Sequence, residues 1–470
     1  MKRIIYYLLL IVTVVSTGCS DGFFDINKDP NNPSTADNSF LLPSTITGSA
    51  YVIGGYYEQL GGFWAQHYAQ STGASQWATL EEFSLDESDY DRQFTILYSG
   101  PLMDCQVVRD RAKASQDWSY YMVATLMQSY TFQVLADLYD QIPFSEALNG
   151  VNKMSPKYEL GKDVNDSLIK RVDFALKQDL SLKTVSKIDK QDFIFKGHMD
   201  QWVRFGNTLK LKLYLRWVNV DPNKYKAEIQ ALLAEDNFLT TSAATVSTLF
   251  KNEENKRNPF YETFMDRLSG NICASKTLVS YLQNSGDSRL NAIFLPPKGK
   301  TQVVGLGQGR YKDDQTLYAN IDNLSLPNVN GLSPVYFFTL PEVEFLLAEA
   351  ELRYGTEAKA KQHYENGIEA SYALYNVTPQ PALYATGGVY EYNGLESIIN
   401  QKWIAAANCN TIEAFFDRNR TGYPSFFVKS AVSSIGNNFP QRLLFPDTER
   451  KTNTKTPVRQ NIDVKVWWAK

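Results

Sequence analysis

Histidine is scarce in this chain, which contains three among 470 residues. His67, His198 and His363 lie far apart, and none belongs to a zinc-binding pattern such as HExxH, so we interpret all three as structural. The GxSxG elbow, the P-loop and a complete GxGxxG are missing as well. The glycine-rich run 305–310 has no helical pattern after it, so we interpret it as a turn or flexible loop. The sequence predicts no catalytic residue, cofactor or metal ligand.

Cysteine is almost as rare, with four in the chain. Cys19 follows an N-terminal apolar run, which leaves Cys105, Cys273 and Cys409, all far apart in sequence. An odd number at such spacings is not a disulfide framework. We expect three buried thiols, and a single bridge among them remains the alternative.

Basic patches and long apolar runs are also lacking. The formal net charge is -4, and a chain without a basic patch is a poor ligand for nucleic-acid phosphates. Beyond residue 15, no apolar stretch approaches the ~20 residues of a membrane-spanning helix. We therefore predict no nucleic-acid partner and no transmembrane helix.

The N-terminus has the pattern of an export signal. Lys2 and Arg3 precede an apolar run, Ile4 to Val15, whose length and flanks are typical of a secretory signal peptide. Ser16-Thr17-Gly18-Cys19 then matches a bacterial lipobox, in which the cysteine is acylated and becomes the new N-terminus. We predict a signal peptide at 1–18, lipidation of Cys19 and attachment to a membrane through acyl chains. An ordinary signal peptide is the alternative.

Helical periodicity dominates the rest of the chain. Apolar residues recur at spacings of three and four in several segments, which we predict to be helices: 97–114 with 118–139, 163–179, 201–217, 341–353 with 357–375, and 393–407 with 410–418. The pairs partly fit the tetratricopeptide template of antiparallel helices, without a regular 34-residue period. The predicted fold is mainly α, an irregular scaffold of tetratricopeptide-like helix pairs with long loops and a few short strands. We place a tether at 19–38 and a single helical domain at 39–470, with a loop-rich insertion at about 238–336.

Aromatic residues make up 13% of the chain, and several lie outside regular amphipathic helices. Flat rings suit the apolar faces of sugars or peptide side chains, whereas core packing is the alternative for each of them. The best candidate ligand contact is Trp77, because Gly73-Ala74-Ser75-Gln76 before it has the composition of a loop. The other candidates are Trp64, Tyr68, Tyr90, Tyr390 and Tyr392.

Acidic residues cluster at Glu81-Glu82 and between Asp86 and Asp91. Paired carboxylates can hydrolyse glycosides, so a surface glycoside hydrolase is one alternative function. A solvated acidic loop is the simpler interpretation. A calcium site is conceivable, although the spacing does not follow an EF-hand loop.

Short motifs occur along the whole chain, and both their sequences and their order resemble those of one protein family. The motifs are Phe24-Asp25-Ile26-Asn27-Lys28-Asp29-Pro30, Phe63-Trp64-Ala65-Gln66-His67, Leu135-Ala136-Asp137-Leu138-Tyr139, Leu340-Pro341-Glu342-Val343-Glu344, Ile399-Asn400-Gln401-Lys402-Trp403, Arg442-Leu443-Leu444-Phe445-Pro446 and Trp467-Trp468. Together they resemble the SusD/RagB-like outer-membrane lipoproteins of the Bacteroidota. This resemblance implies four tetratricopeptide-like helix pairs and a nutrient-binding partner of a TonB-dependent transporter.

The resemblance also sets the expected function. It implies a non-catalytic receptor, anchored to the outer membrane by its lipid and facing the extracellular side. Such a receptor binds oligosaccharides and delivers them to a SusC-like TonB-dependent transporter. A peptide-binding receptor is the main alternative, and a scaffold that binds only proteins is another.

Overall fold

The computed structural model describes residues 36–313 and 321–470. The predicted signal peptide, Cys19 and most of the tether lie outside these residues. Helices form most of the described chain: α1 (Asn38–Tyr51), α2 (Glu58–Trp64), α3 (Ala78–Glu82), α4 (Asp91–Leu97), α5 (Met103–Ser115), α6 (Trp118–Tyr139), α7 (Gly161–Leu176), α8 (Met199–Leu215), α9 (Lys226–Glu235), α10 (Lys276–Ser285), α11 (Leu290–Ile293), α12 (Leu340–Tyr354), α13 (Glu357–Leu374), α14 (Leu395–Ala406), α15 (Thr411–Thr421) and α16 (Asp447–Thr452).

Helices α5 and α6, α12 and α13, and α14 and α15 pack against each other as consecutive pairs. The bounds of α12 to α15 agree with the predicted segments to within three residues, and 118–139 coincides with α6. Helix α5 begins six residues after the start predicted for 97–114. The mainly α, tetratricopeptide-like prediction is therefore confirmed. Within the described ranges, no helix has the length and apolar character needed to cross a membrane.

Side-chain caps fix where several of these helices begin. The Asp37 carboxylate accepts from the backbone N–H of Ser39 at 2.8 Å, at the start of α1. Thr339 caps α12 in the same way through the N–H of Glu342, and Pro341 occupies the first turn as its fixed φ favours. The starts of these two helices are thus set by residues close in sequence.

In the part of the chain that the structure describes, three segments form π-helical turns, which periodicity alone does not predict. They are Val52–Tyr57, Tyr98–Leu102 and Tyr261–Arg267. The second contains Pro101, whose missing N–H removes one ordinary helical hydrogen bond, and it joins α4 to α5 without a break.

The strands are short and pair only in twos. Each pair is antiparallel: β1 (Tyr68–Gln70) with β5 (Ile272–Ala274), β2 (Gln141–Pro143) with β3 (Tyr158–Leu160), β4 (Ala244–Val246) with β8 (Val335–Phe338), and β6 (Phe294–Leu295) with β7 (Leu326–Pro327). The few short strands that the sequence predicts are therefore present. The segment 303–311 forms only a single bridge, between Leu306 and Ser275.

Helix α6 is the centre of the core, since all of its 22 residues are buried. A helix that is apolar around its whole circumference must be covered on every side. Helices α1, α5, α7 and α8 pack around it. The polar residues that α6 does carry must therefore find partners inside the protein.

Those partners belong to a buried network of charges where α6, α8, α12, α14 and α15 meet. Its cations are Lys212, Arg216, Lys402 and Arg420, and its anions are Asp137, Glu342, Glu349, Glu413 and Asp417.

Each shared acid in this network joins two cations. Glu413 lies 3.1 Å from Lys212 Nζ and 3.0 Å from Arg216 Nη2, and Asp417 lies 2.8 Å from Lys402 Nζ and 2.9 Å from Arg420 Nη2. Arg420 also holds both carboxylate oxygens of Glu349, at 2.5 and 2.6 Å. Removing one member would leave its partners charged and without compensation in the core, which is strongly destabilising.

Glu349 gives the clearest test of this network. Burial opposes its ionisation, but Arg420 and Arg353 outweigh burial and lower the pKa of Glu349 to about 2. We expect Glu349→Gln to reduce the free energy of unfolding by roughly 3–5 kcal/mol at pH 7, because the substitution breaks a buried pair. Urea denaturation measures the loss.

The pH dependence supplies a second readout. The contribution of ionised Glu349 is complete above its ordinary pKa of 4.5 and disappears as the pH falls through about 2. The difference in unfolding free energy between the wild type and Glu349→Gln should therefore become smaller below pH 4.5. Glu365→Gln, which removes one side of a surface pair with Lys361, should cost less than about 1 kcal/mol. Equal losses in the two variants would contradict the proposed role of the network.

Candidate functional site

A wide groove of about 1040 Å³ lies between helix α10, the loop Gly305–Asp313 and the segment Phe426–Lys429. We call it the aromatic groove. Its three walls come from parts of the chain that are far apart in sequence, and β5 leads directly into the first of them. A cleft of this volume is at the upper end of small-molecule sites, which span roughly 300–1,000 Å³.

Stacked rings form the apolar part of the groove. Tyr281 and Phe426 are both partly exposed, and their ring centroids lie 4.7 Å apart with the planes 15° from parallel. The buried Tyr390 continues the stack behind Tyr281, at 5.9 Å. Trp403, also buried, meets Tyr281 and Phe426 edge-on at 5.7 and 5.5 Å. The accessible rings are thus held in a fixed orientation from below.

Polar and charged side chains surround these rings. Exposed residues that line the groove are Lys276, Asn284, Arg310, Asp313 and Lys429. Arg310 pairs with Asp313 at 2.9 Å, so the rim offers both donors and acceptors. Apolar ring faces beside such a rim suit a ligand that carries many hydroxyls on an apolar frame.

Gln66 connects two walls of the groove. It lies in the left-handed region, with φ 56°, and its side-chain Oε1 accepts from Thr277 Oγ1 at 2.8 Å and from the N–H of Val428 at 3.1 Å. Its Nε2 donates to the carbonyl of Val428 at 2.7 Å. One buried amide thus fixes the separation between α10 and the segment Phe426–Lys429.

His67, next in sequence, supports the rings from beneath. Burial lowers the pKa of His67 to about 3, so the imidazole is neutral at physiological pH. Its Nε2 lies 2.9 Å from the carbonyl oxygen of Trp403, which assigns the proton to Nε2. Trp403 in turn donates from Nε1 to the carbonyl of Ala65 at 2.7 Å. These contacts agree with the structural role predicted for His67.

The glycine-rich loop packs tightly instead of binding an anion. A Cβ on Gly305 would lie 2.8 Å from the backbone of Lys276, and Gly309 has φ +73°. The N–H of Gly309 donates to Glu81 Oε2 at 3.0 Å, and Gln308 Nε2 donates to the carbonyl of Tyr68 at 3.0 Å. The loop is therefore held in place as a groove wall, and the Gly309 amide is already occupied.

Three of the predicted contact residues are core residues in this structure. Trp64, Tyr68 and Tyr390 have exposed fractions of 4%, 0% and 4%. Trp64 Nε1 donates to the carbonyl of Leu80, and the Tyr68 hydroxyl donates to Asn408. These rings leave little surface for a ligand, and of the three only Tyr390 takes part in the groove, as the inner ring of the stack.

The other predicted contacts are partly exposed but lie in separate places. The Trp77 ring meets Phe264 edge-on at 5.3 Å, and the backbone N–H of Trp77 donates to Gln70 Oε1 at 2.8 Å. The Tyr90 hydroxyl donates to Gln59 at 3.1 Å, and Tyr392 packs on Tyr364 at 5.4 Å. The six candidates thus do not form one site.

Sequence reasoning missed Tyr281 and Phe426. Tyr281 lies in a helix whose Leu278 and Leu282 have core spacing, so it is easily assigned to the core. Phe426 lies in the irregular region 421–462. The length of this region indicates a possible functional site, since long loops in compact proteins are often functional.

The acidic segment has structural roles. Burial raises the pKa of Glu81 to about 8, although the N–H groups of Gly309 and Gln70 oppose the shift. Glu82 accepts from the Tyr311 hydroxyl at 2.5 Å and pairs with Lys312 at 3.1 Å. Asp86 accepts from Ser88 in its own turn. Across residues 36–313 and 321–470, no group of three acidic, histidine or cysteine side chains is placed to hold a metal ion.

The three cysteines of the globular part are all free thiols. Cys105 and Cys273 are buried and Cys409 is partly buried. The expectation of three buried thiols is therefore correct for Cys105 and Cys273 but not for Cys409, and the alternative of a single disulfide is wrong.

Glu81 generates a prediction about pH. Its folded pKa of about 8 lies above the ordinary 4.5, so folding is favoured while Glu81 is protonated. This contribution is complete below pH 4.5 and is lost as the pH rises through about 8. Between pH 5 and pH 8.5, the wild type should lose roughly 2–4 kcal/mol of unfolding free energy relative to Glu81→Gln, which cannot ionise. Urea unfolding at several pH values measures the difference.

Glu82→Gln is the matched control for this measurement. Its hydrogen bonds to Tyr311 and Lys312 lower the pKa of Glu82, so neutralising this partly exposed residue should not produce the same loss. A difference between wild type and Glu81→Gln that stays constant across this pH range would contradict the assignment of a protonated Glu81.

Comparisons with known proteins give a consistent result. The model of a SusD-like family, described as "Starch-binding associating with outer membrane", matches residues 30–446. None of the curated proteins compared with the chain matches it.

Solved structures resemble the whole fold. A SusD homologue from Bacteroides uniformis is 24% identical with a TM-score of 0.77, covering 92% of this chain and 99% of that one. A chitin-binding SusD homologue from Flavobacterium johnsoniae is 21% identical with a TM-score of 0.76, covering 91% and 98%. A SusD-like protein from Bacteroides thetaiotaomicron is 20% identical with a TM-score of 0.76, covering 92% and 99%. At these identities the likeness concerns the fold alone.

Proposed function

Because the chain belongs to the SusD-like family, we propose that it is a non-catalytic, lipid-anchored receptor that binds oligosaccharides in the aromatic groove. It then delivers them to a SusC-like TonB-dependent transporter of the outer membrane. The family description, starch binding in association with the outer membrane, supports a glycan ligand and this location. The chitin-binding homologue from Flavobacterium supports the same class of ligand.

The observation that carries the proposal is the Tyr281–Phe426 pair. Its rings are stacked at 4.7 Å, partly exposed and supported by Trp403. Ring faces bind the apolar faces of sugars. The polar side chains around the groove, such as Lys276, Arg310 and Lys429, then form hydrogen bonds with the sugar hydroxyls. The volume of about 1040 Å³ favours an oligosaccharide over a single sugar.

Trp77 remains a proposed second contact. The N–H of Gln76, just before it, faces Asn271 Oδ1 at 3.3 Å, and Asn271 immediately precedes β5. Strand β5 therefore separates the Trp77 loop from Lys276 on the groove. A ligand long enough to extend past this short strand would contact Trp77 as well as the Tyr281–Phe426 pair.

A peptide is the alternative ligand, because stacked rings and a polar rim also suit apolar side chains and amides. Hydrolysis through Glu81, Glu82 and Asp86 has less support. Glu81 is buried under Gly309, and the other two accept hydrogen bonds from neighbouring residues.

The groove can be tested by titration calorimetry with starch and chitin oligosaccharides and with peptides. We expect Tyr281→Ala and Phe426→Ala each to weaken glycan binding about tenfold or more, since a lost ring contact of about 1.4 kcal/mol corresponds to tenfold. Trp77→Ala should have a smaller effect that grows with ligand length.

Phe40→Ala is the control, because Phe40 is 72% exposed and does not line the groove. Its affinity should equal that of the wild type. Retained affinity in both groove variants would rule out this site, and binding of peptides alone would replace the glycan with the alternative ligand.

The lipid anchor has its own test. Cys19→Ser removes the thiol that is acylated, so we expect the protein to leave the outer-membrane fraction while the soluble form keeps its glycan affinity. Ser20→Ala leaves the cysteine intact and should fractionate like the wild type. Membrane association that survives Cys19→Ser would refute the anchor without affecting the groove.

A further inference from the structure

The charged side chains that line the aromatic groove are mostly basic. Among the described residues, Lys276, Arg310 and Lys429 line it together with one carboxylate, that of Asp313, and all four are exposed. The chain as a whole has the opposite sign, with a formal net charge of -4. The positive excess is therefore local to the groove, and a cleft lined by one sign of charge attracts ligands of the other sign.

The two lysines of the groove have no carboxylate partner within residues 36–313 and 321–470. Lys429 Nζ donates to the neutral side chain of Asn437 at 2.9 Å. Lys276 Nζ forms neither an ion pair nor a hydrogen bond within the same ranges. Both ammonium groups thus remain available to a negatively charged ligand.

Arg310 keeps one edge of its guanidinium group available. Its Nη1 pairs with Asp313 at 2.9 Å, but the two side chains are 57% and 51% exposed, and exposed pairs contribute little. Its Nε and Nη2 make no hydrogen bond or ion pair within the described residues. These two nitrogens form a planar fork, which suits the oxygens of a carboxylate or a sulfate.

The acids behind the walls of the groove are neutralised. Glu82 pairs with Lys312 at 3.1 Å, and the buried Asp287 pairs with Arg289 at 2.6 Å. Burial raises the pKa of Glu81 to about 8, which keeps this carboxyl group mostly protonated at pH 7. None of these acids cancels the charge of the groove.

Two further charges of opposite sign lie beside the segment Phe426–Lys429. Ser425 Oγ donates to Glu396 Oε1 at 3.4 Å, and the guanidinium of Arg418 lies 5.7 Å from the ring centroid of Phe427. Neither Glu396 nor Arg418 lines the groove. Because their charges oppose each other, the sign of the groove is set by the residues that line it.

We propose that the oligosaccharide bound in the aromatic groove is anionic, with carboxylate or sulfate groups on its sugars. The rings of Tyr281 and Phe426 contact the apolar faces of the sugars, while Lys276, Lys429 and the free edge of Arg310 bind the negative groups. This inference rests on the proposed function, because it assigns the class of ligand for the same groove.

The first test compares two oligosaccharides that differ in charge. Tetragalacturonate carries a carboxylate on every sugar, and its fully methyl-esterified form carries none. In titration calorimetry at about 50 mM NaCl, we expect the acid to bind about tenfold more tightly, which is the effect of a few exposed ion pairs. Because salt screens exposed charges, about 0.5 M NaCl should remove most of this preference.

A κ-carrageenan tetrasaccharide and its desulfated form make the same comparison for sulfate. A preference in one comparison alone identifies the group that the groove binds, carboxylate or sulfate. A preference in both shows that the groove selects either kind of charge. Equal affinities within each of the two pairs would overturn the inference.

Matched variants locate the charges responsible. Lys276→Gln and Lys429→Gln each remove one cation from the groove and should each reduce the preference for the acid about threefold. Lys183 is exposed and does not line the groove, so Lys183→Gln changes the net charge equally and should leave the preference unaltered. An equal loss in all three variants, or no loss in the two groove variants, would contradict the assignment.

Failure of this inference can be distinguished from failure of the proposed function. If starch or chitin oligosaccharides bind as tightly as the acidic ones, and Tyr281→Ala weakens their binding, the receptor function stands and only the anionic ligand is wrong. If none of the oligosaccharides binds, both proposals fail. Tyr281→Ala should weaken tetragalacturonate and its methyl ester by the same factor, because a ring contact does not depend on the charge of the sugar.

Discussion

The buried charge network is the constraint on which the rest of the structure depends. Ions are costly to remove from water, so a network of this kind is tolerated only when every member meets its partners at close range. Glu413 and Asp417 are each shared between two cations, which makes α8, α12, α14 and α15 mutually dependent. The helices can therefore pack in few arrangements other than the native one.

The network and the groove meet at two consecutive residues of α14. Lys402 extends into the network and pairs with Asp417, while Trp403 packs beneath Tyr281 and Phe426. Fixing α14 by its ion pair thus also fixes the support of the stacked rings. The rings of the aromatic groove are therefore held rigid by interactions on an adjacent face of the same helix.

Much of the fold could be predicted from the sequence because helix signals are local. The periodicity of 118–139 and the Pro341 start of α12 depend on residues close in sequence, and both agree with the structure. The candidate site could not be predicted in the same way. Whether a ring is exposed depends on segments far apart in the chain, so Trp64 and Tyr68 are buried while Tyr281 and Phe426 form the groove.

The hydrogen bonds of Gln66 have one more consequence. Its amide joins Thr277 on one wall of the groove to Val428 on another, so the distance between those walls at this point is set by one amide group and its hydrogen bonds. A side chain without an amide at this position would lose the link between the two walls. The width of the groove therefore depends on Gln66, a residue that does not itself line the groove.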